Sequence, residues 1–166
     1  MTQFIHVKPE SCIGCRTCEI ACDLAHGEHH SSNERYFHPR LQVIKLSSST
    51  QPVMCHQCEN APCVAVCPVR ALVQEQGCVA AHEALCIGCK NCVMACPFGA
   101  IDISLTPEAK IHIVKCDLCQ QREGGPECVR VCPTAALEKT DSHAVEQQAS
   151  ARRHAVALQS AFLSLK

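Results

Sequence analysis

Sixteen of the 17 cysteines in this 166-residue chain fall into four groups with the spacing of metal-binding thiolates. The groups are Cys12, Cys15, Cys18 and Cys22; Cys55, Cys58, Cys63 and Cys67; Cys86, Cys89, Cys92 and Cys96; and Cys116, Cys119, Cys128 and Cys132. Each opens with Cys-x-x-Cys and closes with two cysteines four residues apart. Runs of this kind hold iron–sulfur clusters, and sixteen thiolates are the ligand count for four [4Fe–4S] clusters. The chemistry on offer is the passage of single electrons. Zinc is the competing metal, since thiolates suit both. Zinc sites use two pairs of ligands, whereas two of these groups are triplets with an offset fourth. A secreted disulfide scaffold is the other explanation of so much cysteine. The repeated ligand spacing argues against it, and Met1 to Pro9 carry no basic run followed by an apolar stretch.

Other residues near these cysteines tune rather than react. Gly14 and Gly88 lie inside Cys-x-x-Cys loops, where glycine lets the backbone approach a sulfide or simply makes the turn. Arg16, Lys90 and Lys115 neighbour ligands and could raise a cluster potential. A plain solvated charge is the simpler reading of each. His56 lies between Cys55 and Cys58 and is a weak candidate for a proton-coupled role. Cys78 stands outside the four groups, after Gly77 on an expected strand, and reads as a buried inert thiol. His26 to His38 is a polar insertion read as a surface loop, although His26, His29 and His30 together could bind a metal.

Short elements must position these groups. Three groups share Cys-Val-x-x-Cys-Pro-x-x-Ala-[Leu/Ile], at 63–72, 92–101 and 128–137. Cysteines four apart share one helical face, so each pair sits on a short helix that the proline stops. The first group has Asp23 where the others have proline. Strands are expected over Gln3 to Val7, Arg40 to Leu46 and Ala136 to Lys139. Two hairpins are expected, 72–74 with 78–80 around Gln76-Gly77, and 101–105 with 110–114 around Thr106-Pro107.

Tryptophan is absent, with four Phe and one Tyr. Aromatic side chains usually supply much of a core's buried area, so clusters must take their place as metal staples do in small scaffolds. The metal-free chain is therefore expected to be poorly folded. Net charge is −1 with signs mixed along the chain, which gives no nucleic-acid surface. No apolar run reaches membrane-spanning length. Thiols and clusters fit a reducing, cytoplasmic compartment. No Gly-rich nucleotide loop or catalytic triad is visible, so the chain is read as a non-catalytic component.

Over residues 2 to 140 the chain resembles the bacterial four-cluster, ferredoxin-like electron-transfer subunits. The strings that carry the resemblance are Phe4-Ile5, Cys-Ile-Gly-Cys-Arg-Thr-Cys-Glu-Ile-Ala-Cys (12–22), Cys-His-Gln-Cys-Glu-Asn-Ala-Pro-Cys (55–63), Cys-Ile-Gly-Cys-Lys-Asn-Cys (86–92) and Lys-Cys-Asp-Leu-Cys (115–119). Such subunits accompany formate hydrogenlyase, dimethyl-sulfoxide-reductase-type molybdenum enzymes and multi-subunit tungsten aldehyde oxidoreductase, and this short chain leans towards the last. The resemblance implies an α+β fold of two nested ferredoxin-like modules. Residues 1–50 and 106–140 would form the outer module and 51–105 the inner one. It implies four ligand sets: Cys12, Cys15, Cys18 and Cys132; Cys116, Cys119, Cys128 and Cys22; Cys55, Cys58, Cys63 and Cys96; and Cys86, Cys89, Cys92 and Cys67. The sequence alone also permits groups one with two and three with four. The nested version sets the N-terminal strand beside the strand after group four.

The implied partners are a catalytic subunit with a molybdenum or tungsten cofactor, or a hydrogenase, and a second redox partner that could bear a flavin. Rival readings are a free-standing carrier or maturation ferredoxin and an oxygen-labile sensor. Residues 141–166 contain no Gly or Pro to break a helix. Ala144, Gln148, Ala151, Ala155, Leu158, Phe162 and Leu165 alternate spacings of four and three, a coiled-coil-like stripe. Asp141 or Ser142 can cap its start. This helix is read as an arm that docks on a catalytic subunit or on a second copy of the chain. The plainer alternative is a helix folded back on its own core.

Overall fold

The computed structural model describes residues 1–27, 37–106 and 110–163. His29, His30, Pro107 and Leu165 lie outside them, as does the side chain of Phe162. The architecture is a small α+β arrangement of short strands and helices. Among the described residues, eight strands make four separate two-stranded antiparallel sheets. The first strand, β1 (Gln3–Val7), pairs with the last, β8 (Leu137–Asp141), in the register Gln3↔Asp141 to Val7↔Leu137. The two ends of the cysteine-bearing core are thereby closed on one another. Between them run the hairpins β2 (Leu41–Lys45) with β3 (Thr50–Met54), β4 (Leu72–Glu75) with β5 (Cys78–Ala81), and β6 (Ile101–Leu105) with β7 (Ile111–Lys115).

The middle hairpin has the turn its sequence demands. Gln76 and Gly77 both take positive φ, 48° and 80°, as a two-residue turn matched to strand twist requires. The Gly77 carbonyl also accepts the Gln3 N–H at 2.8 Å. A side chain there would run into the Met1 carbonyl. The strand Thr50–Met54 has no counterpart in the sequence expectations, because Pro52 demotes any run that contains it. In a two-stranded sheet each strand is an edge, so a missing N–H costs nothing on the open side.

The helices obey the proline rule. α2 (Pro62–Ala65), α3 (Asn91–Ala95) and α4 (Glu127–Arg130) each end within one or two residues of the second cysteine. α1 (Thr17–His26) has Asp23 instead and runs on for ten residues. Its buried Glu19 accepts the Val43 N–H at 2.5 Å, fixing the helix to β2. Helix α1 packs on α4, and α2 on α3. The core is divided accordingly. One cluster gathers Ile5, Leu41, Val43, Met54, Leu118 and Leu137 with cysteines of groups one and four and Cys78. The other gathers Leu72, Val79, Ile101 and Ile113 with cysteines of groups two and three.

The tail is a single helix, α5 (Ser142–Leu163). Asp141 is its cap, with Oδ1 accepting the Ala144 N–H at 2.8 Å, a bond of the type worth about 1 kcal/mol. From Ala151 to Ser160 every residue is exposed, Val156 and Leu158 included.

Candidate metal centres

The repeated proline motif is a device for hydrogen-bonding sulfur. In each copy the residue three after the last cysteine adopts the left-handed conformation: Arg70 (φ 53°), Gly99 (φ 58°) and Ala135 (φ 50°). That turn aims the next N–H back at the thiol. Ala71 N donates to Cys67 Sγ at 3.2 Å, Ala100 N to Cys96 Sγ at 3.4 Å and Ala136 N to Cys132 Sγ at 3.3 Å. Alanine suits the position because Ala71 and Ala136 are almost fully buried. The following Leu72, Ile101 and Leu137 anchor the turn in the core. Cys22 lacks the motif, and a distant backbone supplies the bond: Arg40 N donates to its sulfur at 3.3 Å. Burial pushes the Cys67 and Cys132 thiols up, but surrounding backbone N–H groups outweigh it and hold both below the ordinary value. N–H donors of this kind stabilise thiolate.

Cysteines from different groups come together. A small cleft is lined by Cys12, Cys15, Cys18 and Cys132 together. The charges of Cys116, Cys119 and Cys22 all act on buried Cys128. Those of Cys55 and Cys96 act on Cys58 and Cys63, and those of Cys86 and Cys67 on Cys92. Yet every one of the 17 cysteines is a free thiol. Desolvation pushes Cys18 up to about 11 and Cys116 up to about 12. Such groups ionise only when a cation compensates them, which is the condition a metal centre meets. Converging, undisulfided thiols with N–H donors aimed at sulfur fit iron–sulfur chemistry.

Comparison with known proteins points to the same chemistry. The family described as "4Fe-4S dicluster domain" matches residues 46–142, more than half of the chain, and a "4Fe-4S binding domain" matches residues 9–23. The chain belongs to the 4Fe-4S dicluster domain family. YsaA of Escherichia coli (strain K12) is 46% identical over 156 residues, spanning 89% of this chain and 99% of that protein. Electron transport protein HydN of the same organism is 40% identical over 173 residues, spanning 95% and 99%. Formate hydrogenlyase subunit 2, also from that strain, is 37% identical over 184 residues, spanning 92% and 89%. The chain binds [4Fe–4S] clusters and works in electron transfer rather than as a catalyst.

Two residues of this dicluster protein were misjudged by sequence reasoning. Lys115 is not a solvated charge: it is 3% exposed. Its Nζ donates to Cys116 O at 2.6 Å and reaches Gln57 Oε1 at 3.5 Å and Cys55 Sγ at 3.8 Å. Strand alternation on β7 buries it, and no local pattern signals that a lysine should occupy such a site. His26 is not loop either. It ends α1, half-buried, with Nδ1–H donating to Cys22 O at 2.8 Å and Nε2–H to Asp117 Oδ1 at 3.1 Å. Its ring lies 3.8 Å from Cys22 Sγ and 3.9 Å from Cys119 Sγ. Burial would lower His26, but the bonds to Asp117, Cys119 and Cys22 outweigh it and hold it at about 11. Burial would raise Asp117, but the His26 bond and the Arg40 charge, 2.7 Å away, hold it below the carboxylate range.

The remaining candidates sit as follows. Arg16 and Lys90 are exposed at the starts of α1 and α3, each with φ of 61°. Gly14 and Gly88 have φ of 72° and 69°, and a Cβ at Gly14 would stand 3.0 Å from Thr50 Cγ2. His56 is exposed, its ring centroid 4.1 Å from that of Phe98. Cys78 is fully buried, with burial pushing its thiol up. Cys78→Ala is therefore expected to leave iron content unchanged and to cost roughly 1 kcal/mol of stability through the lost packing. Iron analysis beside a thermal melt checks this. A proportionate loss of iron would make Cys78 a ligand.

Proposed function

We propose that this chain relays single electrons through four [4Fe–4S] clusters between a catalytic oxidoreductase subunit and a second redox partner. A [4Fe–4S] cluster takes up or gives back one electron at a potential set by its surroundings. The chain's own residues hold the sulfurs, donate N–H bonds to them and exclude water. The ligand sets follow the crossed pattern: Cys12, Cys15, Cys18 with Cys132; Cys116, Cys119, Cys128 with Cys22; Cys55, Cys58, Cys63 with Cys96; and Cys86, Cys89, Cys92 with Cys67. Support comes from the cleft shared by Cys12, Cys15, Cys18 and Cys132, from Cys22 and Cys119 meeting on one His26 ring, and from the mutual charge effects of Cys96 with Cys63 and of Cys67 with Cys92. Nested modules, 1–50 with 106–140 around 51–105, are supported by the β1–β8 pairing and by α1 packing on α4.

One observation supports an order for the relay. The charge of Cys18 acts on Cys128 and that of Cys55 on Cys116. This strings the sets in series, with the Cys12 set at one end and the Cys86 set at the other. Cys15 and Cys89, one in each end set, are the two exposed cysteines. Ile13 and Ile87, at equivalent positions beside them, are exposed at 67% and 61%. Electrons would enter and leave at these apolar, cysteine-bearing ends.

The partner class put first is the formate hydrogenlyase type, on the strength of the relative of that name. A molybdenum or tungsten enzyme is the broader class, and none of the named relatives singles out tungsten aldehyde oxidoreductase. A flavin-bearing subunit is the expected second partner. Helix α5 is the docking arm, on a catalytic subunit or a second copy, because every residue from Ala151 to Ser160 is exposed. Reductive titration tests the reading. The anaerobic chain is expected to take up about four electrons, one per cluster. Deleting 141–166 should leave this uptake intact and weaken assembly in sedimentation. Uptake of two electrons, or lost uptake in the truncated chain, would refute one or the other part.

A further inference from the structure

We propose that Lys115, positioned by Gln57, is the fixed counter-charge of the cluster bound through Cys55, and that it raises the reduction potential there. A buried ammonium is costly unless an anion faces it. Among the described residues, no carboxylate pairs with Lys115. Its Nζ instead has two oxygens and one sulfur: Cys116 O at 2.6 Å, Gln57 Oε1 at 3.5 Å and Cys55 Sγ at 3.8 Å. Its charge also acts on Cys63, Cys78 and Cys116. The anion that balances it is therefore thiolate. No other Lys or Arg side chain among the described residues reaches a cysteine sulfur.

Gln57 explains why the lysine stays there. It is fully buried, inside the Cys55-x-x-Cys58 loop, and held at φ 51°. Its amide NH₂ donates to Cys116 O at 2.8 Å, and its Oε1 accepts the Val79 N–H at 2.9 Å. The amide thus ties the loop of Cys55 to the backbone of Cys116 and presents a spare oxygen lone pair to Lys115. The cation lies where these two segments meet. One electron added to a thiolate-bound cluster adds one negative charge and neither forms nor breaks a bond. A fixed cation in a water-poor site stabilises that extra charge. The step between the two modules is then tilted towards the Cys55 side. This inference rests on the reading of Cys55 as a ligand.

The test is a potentiometric titration followed by electron paramagnetic resonance on anaerobic, cluster-loaded, full-length protein. Lys115→Met should shift one cluster so that, at its wild-type midpoint, the oxidised-to-reduced ratio rises about tenfold, roughly 59 mV for one electron. The other clusters should move by less than about twofold, and Lys115→Arg should keep the wild-type value. Full iron with no shift in Lys115→Met overturns the proposal. So does an equal shift in Lys115→Arg, which would mean packing rather than charge. If Lys115→Met loads poorly, Lys115→Gln is read in its place. If neutral variants lose iron and Lys115→Arg retains it, the charge requirement stands; if Lys115→Arg also loses iron, the proposal falls. Cys55→Ser separates the two readings: undiminished iron there removes Cys55 as a ligand and leaves the Lys115 titration to be explained otherwise.

Discussion

Stripped of iron by an anaerobic chelator, the chain is expected to lose its tertiary structure altogether. Among the described residues, ten Ile, Leu, Val and Met side chains are buried. Each such burial contributes roughly 1.5–3 kcal/mol, whereas ordering each residue's backbone costs roughly 1–2 kcal/mol. Ten cannot offset the ordering of a chain this long. Nor can the sheets stand alone, since each has two strands and an isolated hairpin is at best marginal in water. The cysteines sit inside both core clusters: Cys18, Cys22, Cys116 and Cys128 in one, Cys63 and Cys92 in the other. Without metal these become buried thiols around a void, and packing is lost on every side. Circular dichroism and limited proteolysis should show a protease-sensitive chain with little strand signal. Native-like dichroism and protease resistance after complete iron removal would show that the polypeptide holds its own core.

The second large effect is expected from Cys132→Ser. If Cys132 closes the set opened by Cys12, the variant should lose one cluster, about a quarter of its iron. The clusters of the inner module should keep their resonance signals. Within the outer module the set of Cys116, Cys119, Cys128 and Cys22 should survive in weakened form, because α4 carries Cys128 directly before Cys132 and packs on α1. Loss of the inner signals, with the others intact, would contradict the crossed, nested pairing. It would favour the alternative of adjacent groups.

Features that depend on neighbouring residues were legible in the sequence. The ligand spacing, the proline stops of α2, α3 and α4, the Gln76-Gly77 turn and a cap at Asp141 or Ser142, which Asp141 fills, are of this kind. The shared Cys-Pro-x-x-Ala string was visible as a repeat, but not its purpose. The left-handed residue that aims the N–H at sulfur is Arg70, Gly99 or Ala135, so no common residue type announces it. Long-range features were hidden. Lys115 lies 58 residues from Gln57, and His26 lies 91 residues from Asp117. Their burial is decided by which segments meet, and for Lys115 the side-chain type points the other way, since lysine is ordinarily a surface residue. The strand Thr50–Met54 was hidden by Pro52, which a two-stranded sheet tolerates where a wider one would not.

The central claim is the cluster count, and it is tested most directly by anaerobic iron and acid-labile sulfide analysis on the purified, loaded chain. Four [4Fe–4S] clusters on sixteen cysteines require about sixteen iron and about sixteen sulfide per chain. About eight of each, or zinc in simple proportion with no sulfide, would contradict the account.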